Sequence, residues 1–399
     1  MPQDVPTVPL STYTRFIFFL MDMSRSAFAS GMFWNELPSS LLGLAFGALS
    51  FSDVLCRCHL VSRTWRRTRA RWHKLILPTY CNVGRAKSVL DSSHCAQVNE
   101  ADVHVSLLDL LAFELRHLGV LRLNNRRLSS SDPAWSLSAL KSFPRLRVLD
   151  LSFYTLVDGE SELRNLHCLS LLRELDLSYS DLTRQACREL SRVTRLKTLH
   201  LTYVVMHLSL LELHRFTSLT SLDLHTMMKD NDLRELADLL SLRNLKLWLV
   251  HVTDMGLAHL KRLSLLQDLR CTSSKHITDS GLAHLTGLLS LERLDFTGTR
   301  KLTDNSLQYL ARLTGLRYLD LSFADQLTGE GFASLASLPS LQTLVLSDCQ
   351  SLTHLESVLE FPALISLDIR DCPLVDVVSP KTSHELSRLT KRSGFVIHL

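Results

Sequence analysis

The feature that most restricts this chain is a leucine spacing, L-x-x-L-x-L, that returns at nearly constant intervals. It begins at Leu118, Leu146, Leu172, Leu196, Leu219, Leu242, Leu266, Leu291, Leu316, Leu341 and Leu364. Successive starts lie 28, 26, 24, 23, 23, 24, 25, 25, 25 and 23 residues apart. Where the sixth position is not leucine it is Cys271, Phe296 or Ile369, each apolar. So regular a period does not follow from leucine richness alone; it marks one supersecondary unit repeated along the chain.

The chemistry of a unit is plain in residues 291–310. Leu291, Leu294 and Phe296 point inward from a short strand, because strand side chains alternate between faces. Thr303-Asp304 then offers cap oxygens to a helix whose Leu307 and Leu310 share a face. The Thr-Asp pair recurs at Thr253-Asp254 and Thr278-Asp279. One unit cannot bury such a stripe by itself, so units must stack, and stability becomes a sum over neighbours. The expected fold is therefore α/β: a leucine-rich-repeat solenoid, a right-handed horseshoe with a parallel concave sheet, occupying residues 118–380 in about eleven repeats.

The ends need caps. Residues 381–399 are expected to close the array, with a helix over 382–391 and a final strand in Phe395–Leu399. Upstream, residues 78–117 are read as one degenerate unit, with Cys95-x-x-Val98 as its strand and 103–117 as its helix. Residues 1–32 are expected to be a poorly ordered extension. The apolar run Phe16–Met21 ends at Asp22, too short for a secretory core or a membrane span.

A chain of 399 residues with 46% hydrophobic and 21% charged residues is globular in composition but too long for one ordinary compact core. A net charge of +4 gives no global case for a polyanionic partner. That charge is uneven, since seven Lys and Arg lie between Arg57 and Lys74 with no acid among them. Nine cysteines, an odd number without paired spacing, argue against a disulfide framework and for an intracellular, cytoplasmic or nuclear, address. The absence of any Asn-x-Ser/Thr acceptor agrees with that address.

Residues 33–77 have another rhythm. Leu41, Leu44 and Leu49 fall on one helical face behind a first-turn Pro38. Ser52-Asp53 can cap a second helix carrying Val54 and Leu55, and a third runs from about Val61 to Trp72. Three short helices are expected to lean on the solenoid or on a partner. The string from Leu37 to Arg67, with Leu37-Pro38, Leu44, Phe46, Leu49, Val54, Leu55, Val61 and Trp65, resembles an F-box, and Trp72-x-x-Leu75-x-Leu77 follows it. An F-box joined to leucine-rich repeats resembles the F-box/leucine-rich-repeat family of substrate receptors. That resemblance implies the following division of labour. Leu37, Pro38, Leu41, Leu44, Phe46, Leu49, Val54, Leu55, Val61 and Trp65 would hold a Skp-type adaptor, and through it a cullin–RING ligase. The repeats would hold a target protein for ubiquitin-dependent proteolysis. The alternative is a non-ligase repeat scaffold whose N-terminal helices merely cap the array.

Catalytic and cofactor chemistry find no foothold. No P-loop, G-x-G-x-x-G, H-E-x-x-H or nucleophile elbow occurs, so no enzyme activity and no cofactor are expected. Cys56, Cys58 and His59 suggest zinc, but residues two apart on a helix diverge by about 200°, so no metal site is expected. The arginines around Trp65 and Trp72 are read as a solvated helix face rather than a nucleic-acid patch.

The strand residues between the buried leucines carry the remaining signal. Position five of the repeat is often aspartate, including Asp176 and Asp223, and position eight is Phe153, Tyr179 and Tyr203 in three consecutive repeats. Trp248 lies near by, at position seven. Aromatics at one repeat position should lie side by side along one rim of the strand face, the usual chemistry of an interface hot spot. Packing of the rings over the strand ends is the competing explanation. Phe153, Tyr179, Tyr203, Trp248, Asp176 and Asp223 are therefore the candidate target-binding residues.

Overall fold

A computed structural model describes residues 74–76, 98–104, 107–124, 137–153, 162–180, 182–204, 212–375 and 395–398. The F-box-like string, the 1–32 extension, the Cys56–His59 cluster and the expected 382–391 helix lie outside the described residues. By packing, the chain divides into residues 1–149 with 168–171, and residues 150–167 with 172–399.

In the first unit, β1 (Lys74–Ile76), β2 (Glu100–His104) and β3 (Val120–Asn124) pair in parallel in that order. Two expectations are corrected here. Val98, Ala101 and Val103, all fully buried, occupy positions one, four and six of the degenerate repeat. The strand is therefore Glu100–His104 rather than Cys95–Val98, and its helix α1 is the shorter Leu108–Glu114. Ala101 is the physical reason: it satisfies the buried position but is too small to stand out in a leucine scan. The segment Lys74–Ile76, expected as the tail of the F-box-like module, is itself a ladder strand in register with Glu100–Asp102.

The strand β4 (Val148–Asp150) lies at the boundary between the units. In the second unit, β5 (Glu174–Asp176), β6 (Thr198–His200), β7 (Ser221–Leu224), β8 (Asn244–Trp248), β9 (Asp268–Thr272), β10 (Arg293–Asp295), β11 (Tyr318–Asp320), β12 (Thr343–Val345), β13 (Ser366–Asp368) and β14 (Val396–His398) follow one another as parallel neighbours. The register is constant: Leu175, Leu199, Leu222, Leu245, Leu269, Leu294, Leu319, Leu344 and Leu367 align across the sheet. This is a leucine-rich-repeat solenoid. Every first, fourth and sixth position from Leu172 to Ile369 is buried.

The return path is as repetitive as the strands. An apolar residue three before each start is also buried, as in Phe216, Leu239, Leu263, Leu288 and Leu313. Its carbonyl accepts the amide of the next start, so Leu219 N–H donates to Phe216 O at 2.9 Å and Leu291 N–H to Leu288 O at 3.0 Å. Between strand and return lie short helices, α2 (Arg184–Leu190), α3 (Asp230–Arg234), α4 (Asp254–Leu257), α5 (Asp279–Ala283) and α6 (Leu307–Leu310), or 3₁₀ turns. No helix among the described residues is long and apolar enough to cross a membrane.

The Thr-Asp pairs divide their work in a way the local pattern did not foretell. Thr253, Thr278 and Thr303 cap the helices that follow them, each accepting the amide two residues on at 3.3 Å. The aspartates reach instead into the next repeat. Asp254 accepts Thr278 N–H at 2.8 Å and Thr278 Oγ1–H at 2.6 Å. Asp279 does the same for Thr303 at 2.9 and 2.6 Å, Asp230 for Thr253 at 2.7 Å twice, and Asp304 for Thr328 at 3.1 and 2.6 Å. Glycine is needed beside this seam. A Cβ at Gly256 would come within 2.5 Å of Asp230 Oδ1, and one at Gly281 would collide with Asp254 Oδ1.

Candidate functional site

The strand face opposite the helices carries the candidate site. Its backbone is set by position eight, where Phe153, Tyr179 and Tyr203 adopt left-handed conformations with φ of 61°, 59° and 54°. Each amide is fixed by the next repeat: Phe153 N–H donates to Ser178 O at 2.8 Å, Tyr179 N–H to Thr202 O at 2.7 Å, and Tyr203 N–H to His225 O at 2.8 Å. Later repeats use the same conformation at Ser273, Gly298, Phe323, Asp348 and Asp371. Glycine and aspartate enter that region readily; a bulky ring there costs about 1–2 kcal/mol. Burial does not repay that cost in full, since Tyr179 and Tyr203 remain 48% and 49% exposed.

The rings form one column. Phe153 and Tyr179 stack with centroids 4.5 Å apart and planes 1° from parallel. Tyr179 and Tyr203 stack at 5.1 Å and 27°. His225 then lies 4.7 Å from Tyr203 and stacks on Trp248 at 4.9 Å and 12°. These spacings match the roughly 4.7–4.9 Å between neighbouring strands, which is why one ring per repeat yields a continuous stack.

Neither residue type nor the shared position eight marks His225 in the sequence. In its repeat and the next, position eight is Thr226 and Leu249, both buried, and neither adopts the left-handed turn. The strands β7 and β8 instead run further, and alternation puts position seven on the same face as positions three and five. The signal was available in Trp248, which also stands at position seven. Burial lowers the His225 pKa, with the Asp223 charge opposing, which favours the neutral ring where it stacks.

The aspartates at position five have a local task. Asp150 Oδ1 accepts Ser152 N–H at 2.8 Å, and Asp176 Oδ1 accepts Ser178 N–H at 2.8 Å. They hold the turn that presents the rings, and their charge remains on the face. Asp223 lies 3.4 Å from Lys246 Nζ. Beyond Trp248 the same face is occupied by paired charges. Arg270 bonds Asp268 at 3.1 and 3.0 Å, and Arg293 lies 3.4 Å from Asp268 and 4.9 Å over the Tyr318 ring. Tyr318 Oη–H donates to Asp320 at 3.1 Å. Thus Phe153, Tyr179, Tyr203 and Trp248 share one column with His225, with Asp176 and Asp223 on its strands. The ten residues expected to hold an adaptor lie outside the described residues.

Known proteins match this chain by structure. An internalin from Listeria monocytogenes is similar with a TM-score of 0.52 and 19% identity, over 82% of this chain and 94% of that one. The yeast Rad7 and Elc1 complex provides a second likeness, with a TM-score of 0.56 and 18% identity over 99% of this chain and 98% of that one. At such identities the likeness establishes the fold. No family model matches the sequence, and no curated protein matches it either.

Proposed function

We propose that this chain is the substrate-recognition subunit of an SCF-type ubiquitin ligase, its F-box-like segment binding a Skp-type adaptor and its repeats binding a target. The observation that carries the target-binding half is the exposed ring column on a fixed backbone. Rigid aromatics lose little entropy on contact, and a preformed surface avoids the cost of ordering a loop. The adaptor half is supported by the F-box-like residues 37–67 and by the likeness to Rad7, which was solved as a complex with Elc1. In this role the chain performs no bond chemistry, and its contribution to ubiquitin transfer is proximity and orientation.

Replacing Leu37-Pro38 by Ala-Ala tests the adaptor half. Co-purification of a Skp-type adaptor should be lost while the circular dichroism of the repeats is unchanged. If wild-type protein at micromolar concentration retains no such adaptor, the receptor reading fails and a repeat scaffold is the better description.

A further inference from the structure

The ring column and the charges beside it define a ligand class more narrowly than a protein target. Stacking covers most of the ring faces, so the column offers a ribbon of ring edges and two tyrosine hydroxyls, with apolar character along its length. On the strands bearing the column, Asp150, Glu174, Asp176 and Asp223 face outward against a single ammonium, Lys246, which is paired with Asp223. Among the described residues no Lys or Arg pairs with Asp150, Glu174 or Asp176, whereas across the next strands Asp268 takes both Arg270 and Arg293 and Asp368 takes Arg370. The aromatic stretch thus sets three carboxylates without a Lys or Arg partner beside an apolar strip; in the neighbouring stretch Asp268 and Asp368 are paired with arginine, while Asp295 and Asp320 accept from Thr297, Ser322 and Tyr318.

We propose that the column from Phe153 to Trp248 docks an extended protein segment bearing arginine or lysine side chains, its apolar side chains against the ring edges and its cations on Asp150, Glu174 and Asp176. This deepens the target-binding reading above and rests on it. The rings recur every 4.5–5.1 Å over five repeats, and an extended segment rises about 3.3 Å per residue, so six or seven residues would span the column. Arginine suits such a site, because its methylene stem can pack on the ring edges while its planar fork donates to a carboxylate. A nucleic acid would also find rings to stack on, but its phosphates would meet the carboxylate row.

The test uses the full chain and fluorescein-labelled heptapeptides of constant apolar content in which lysine and arginine are exchanged stepwise for glutamate. Anisotropy should show binding by the basic members that weakens with added salt, and none by the acidic members. The triple change Phe153→Ser, Tyr179→Ser, Tyr203→Ser and the triple change Asp150→Asn, Glu174→Gln, Asp176→Asn should each weaken binding at least about tenfold. Phe323→Ser alters a ring at the same repeat position beyond the column and should leave binding unchanged. Where a triple variant loses its folded circular dichroism, single changes at Tyr179 and Glu174 replace it. Equal binding of acidic and basic peptides, binding of none, or binding of an unstructured oligonucleotide in their place would overturn the proposal. Adaptor retention by the same protein is scored separately. Basic-peptide binding without an adaptor removes the ligase reading and leaves the docking surface, and the reverse result removes only the latter.

Discussion

Two stretches of one strand face rest on nearly identical foundations and carry opposite surfaces. From β5 to β8 and from β9 to β13 the buried leucines keep one register. Above them the first stretch stacks rings and leaves Glu174 and Asp176 without a Lys or Arg partner, while the second has no such column and ties Asp268 to Arg270 and Arg293 and Asp368 to Arg370. A repeat separates what folds the protein from what it shows to others. The core positions are fixed by stacking, and the face is open to be rewritten without disturbing them.

The largest effects should be blind to that difference. Leu199→Ala and Leu294→Ala each empty a fully buried strand position, one beneath each stretch, and each should cost about 2–5 kcal/mol. Chemical denaturation checks the pair, and a gap of several kcal/mol between them would mean that the two stretches differ below the face as well. Next comes Asp279→Ala, which deprives Thr303 of two hydrogen bonds from the preceding repeat and should cost about 1–2 kcal/mol. Asp279→Asn, which retains one acceptor, should recover part of that loss in the same measurement.

On the face itself the penalties should shrink. Tyr179→Gly gives up two stacked neighbours, worth about 0.5–1.5 kcal/mol each, but releases a left-handed strain of about 1–2 kcal/mol. The net change in stability should stay within about 1 kcal/mol, against about 3–5 kcal/mol for Phe216→Ala in the core. A Tyr179→Gly loss as large as that of Phe216→Ala would make the column a packing device. The smallest effect is a pH response peculiar to the aromatic stretch. Because burial lowers the His225 pKa in the folded protein, its contribution is complete above the ordinary histidine value of about 6.5 and is lost as pH falls from there through the folded value. Near-ultraviolet circular dichroism of the column should weaken over that interval in the wild type and hold steady in His225→Phe.

Much of this was written in the spacing of the leucines. Alternation and period together located the strand positions from Leu118 onward, because burial there demands large apolar side chains at fixed phase. The same scan failed at Val98-x-x-Ala101-x-Val103, where a small residue fills a buried position and leaves no contrast. Phe153, Tyr179 and Tyr203 could be grouped from their common position, since repeats convert sequence phase into spatial adjacency. His225 could not, because its place in the column depends on a strand running one step longer before it turns. The Thr-Asp pattern points each aspartate at its own helix, because a local pattern does not show a bond formed 24 residues away.

The aspartate seam has a consequence for how such a molecule can be lengthened. Thr253, Thr278, Thr303 and Thr328 stand 25 residues apart, and each receives the same pair of bonds from the unit before it. Every unit in this stretch therefore ends with the socket that its own beginning fits. A copy of residues 278–302 inserted after itself would meet a matching neighbour on both sides and leave no joint to redesign. The same joint reaches into the ring-bearing units, where Asp230 of the His225 unit holds Thr253 of the Trp248 unit. The molecule thus carries from Asp230 to Thr328 a run of interchangeable joints, so it can be lengthened there while the rings from Phe153 to Tyr203 keep their places.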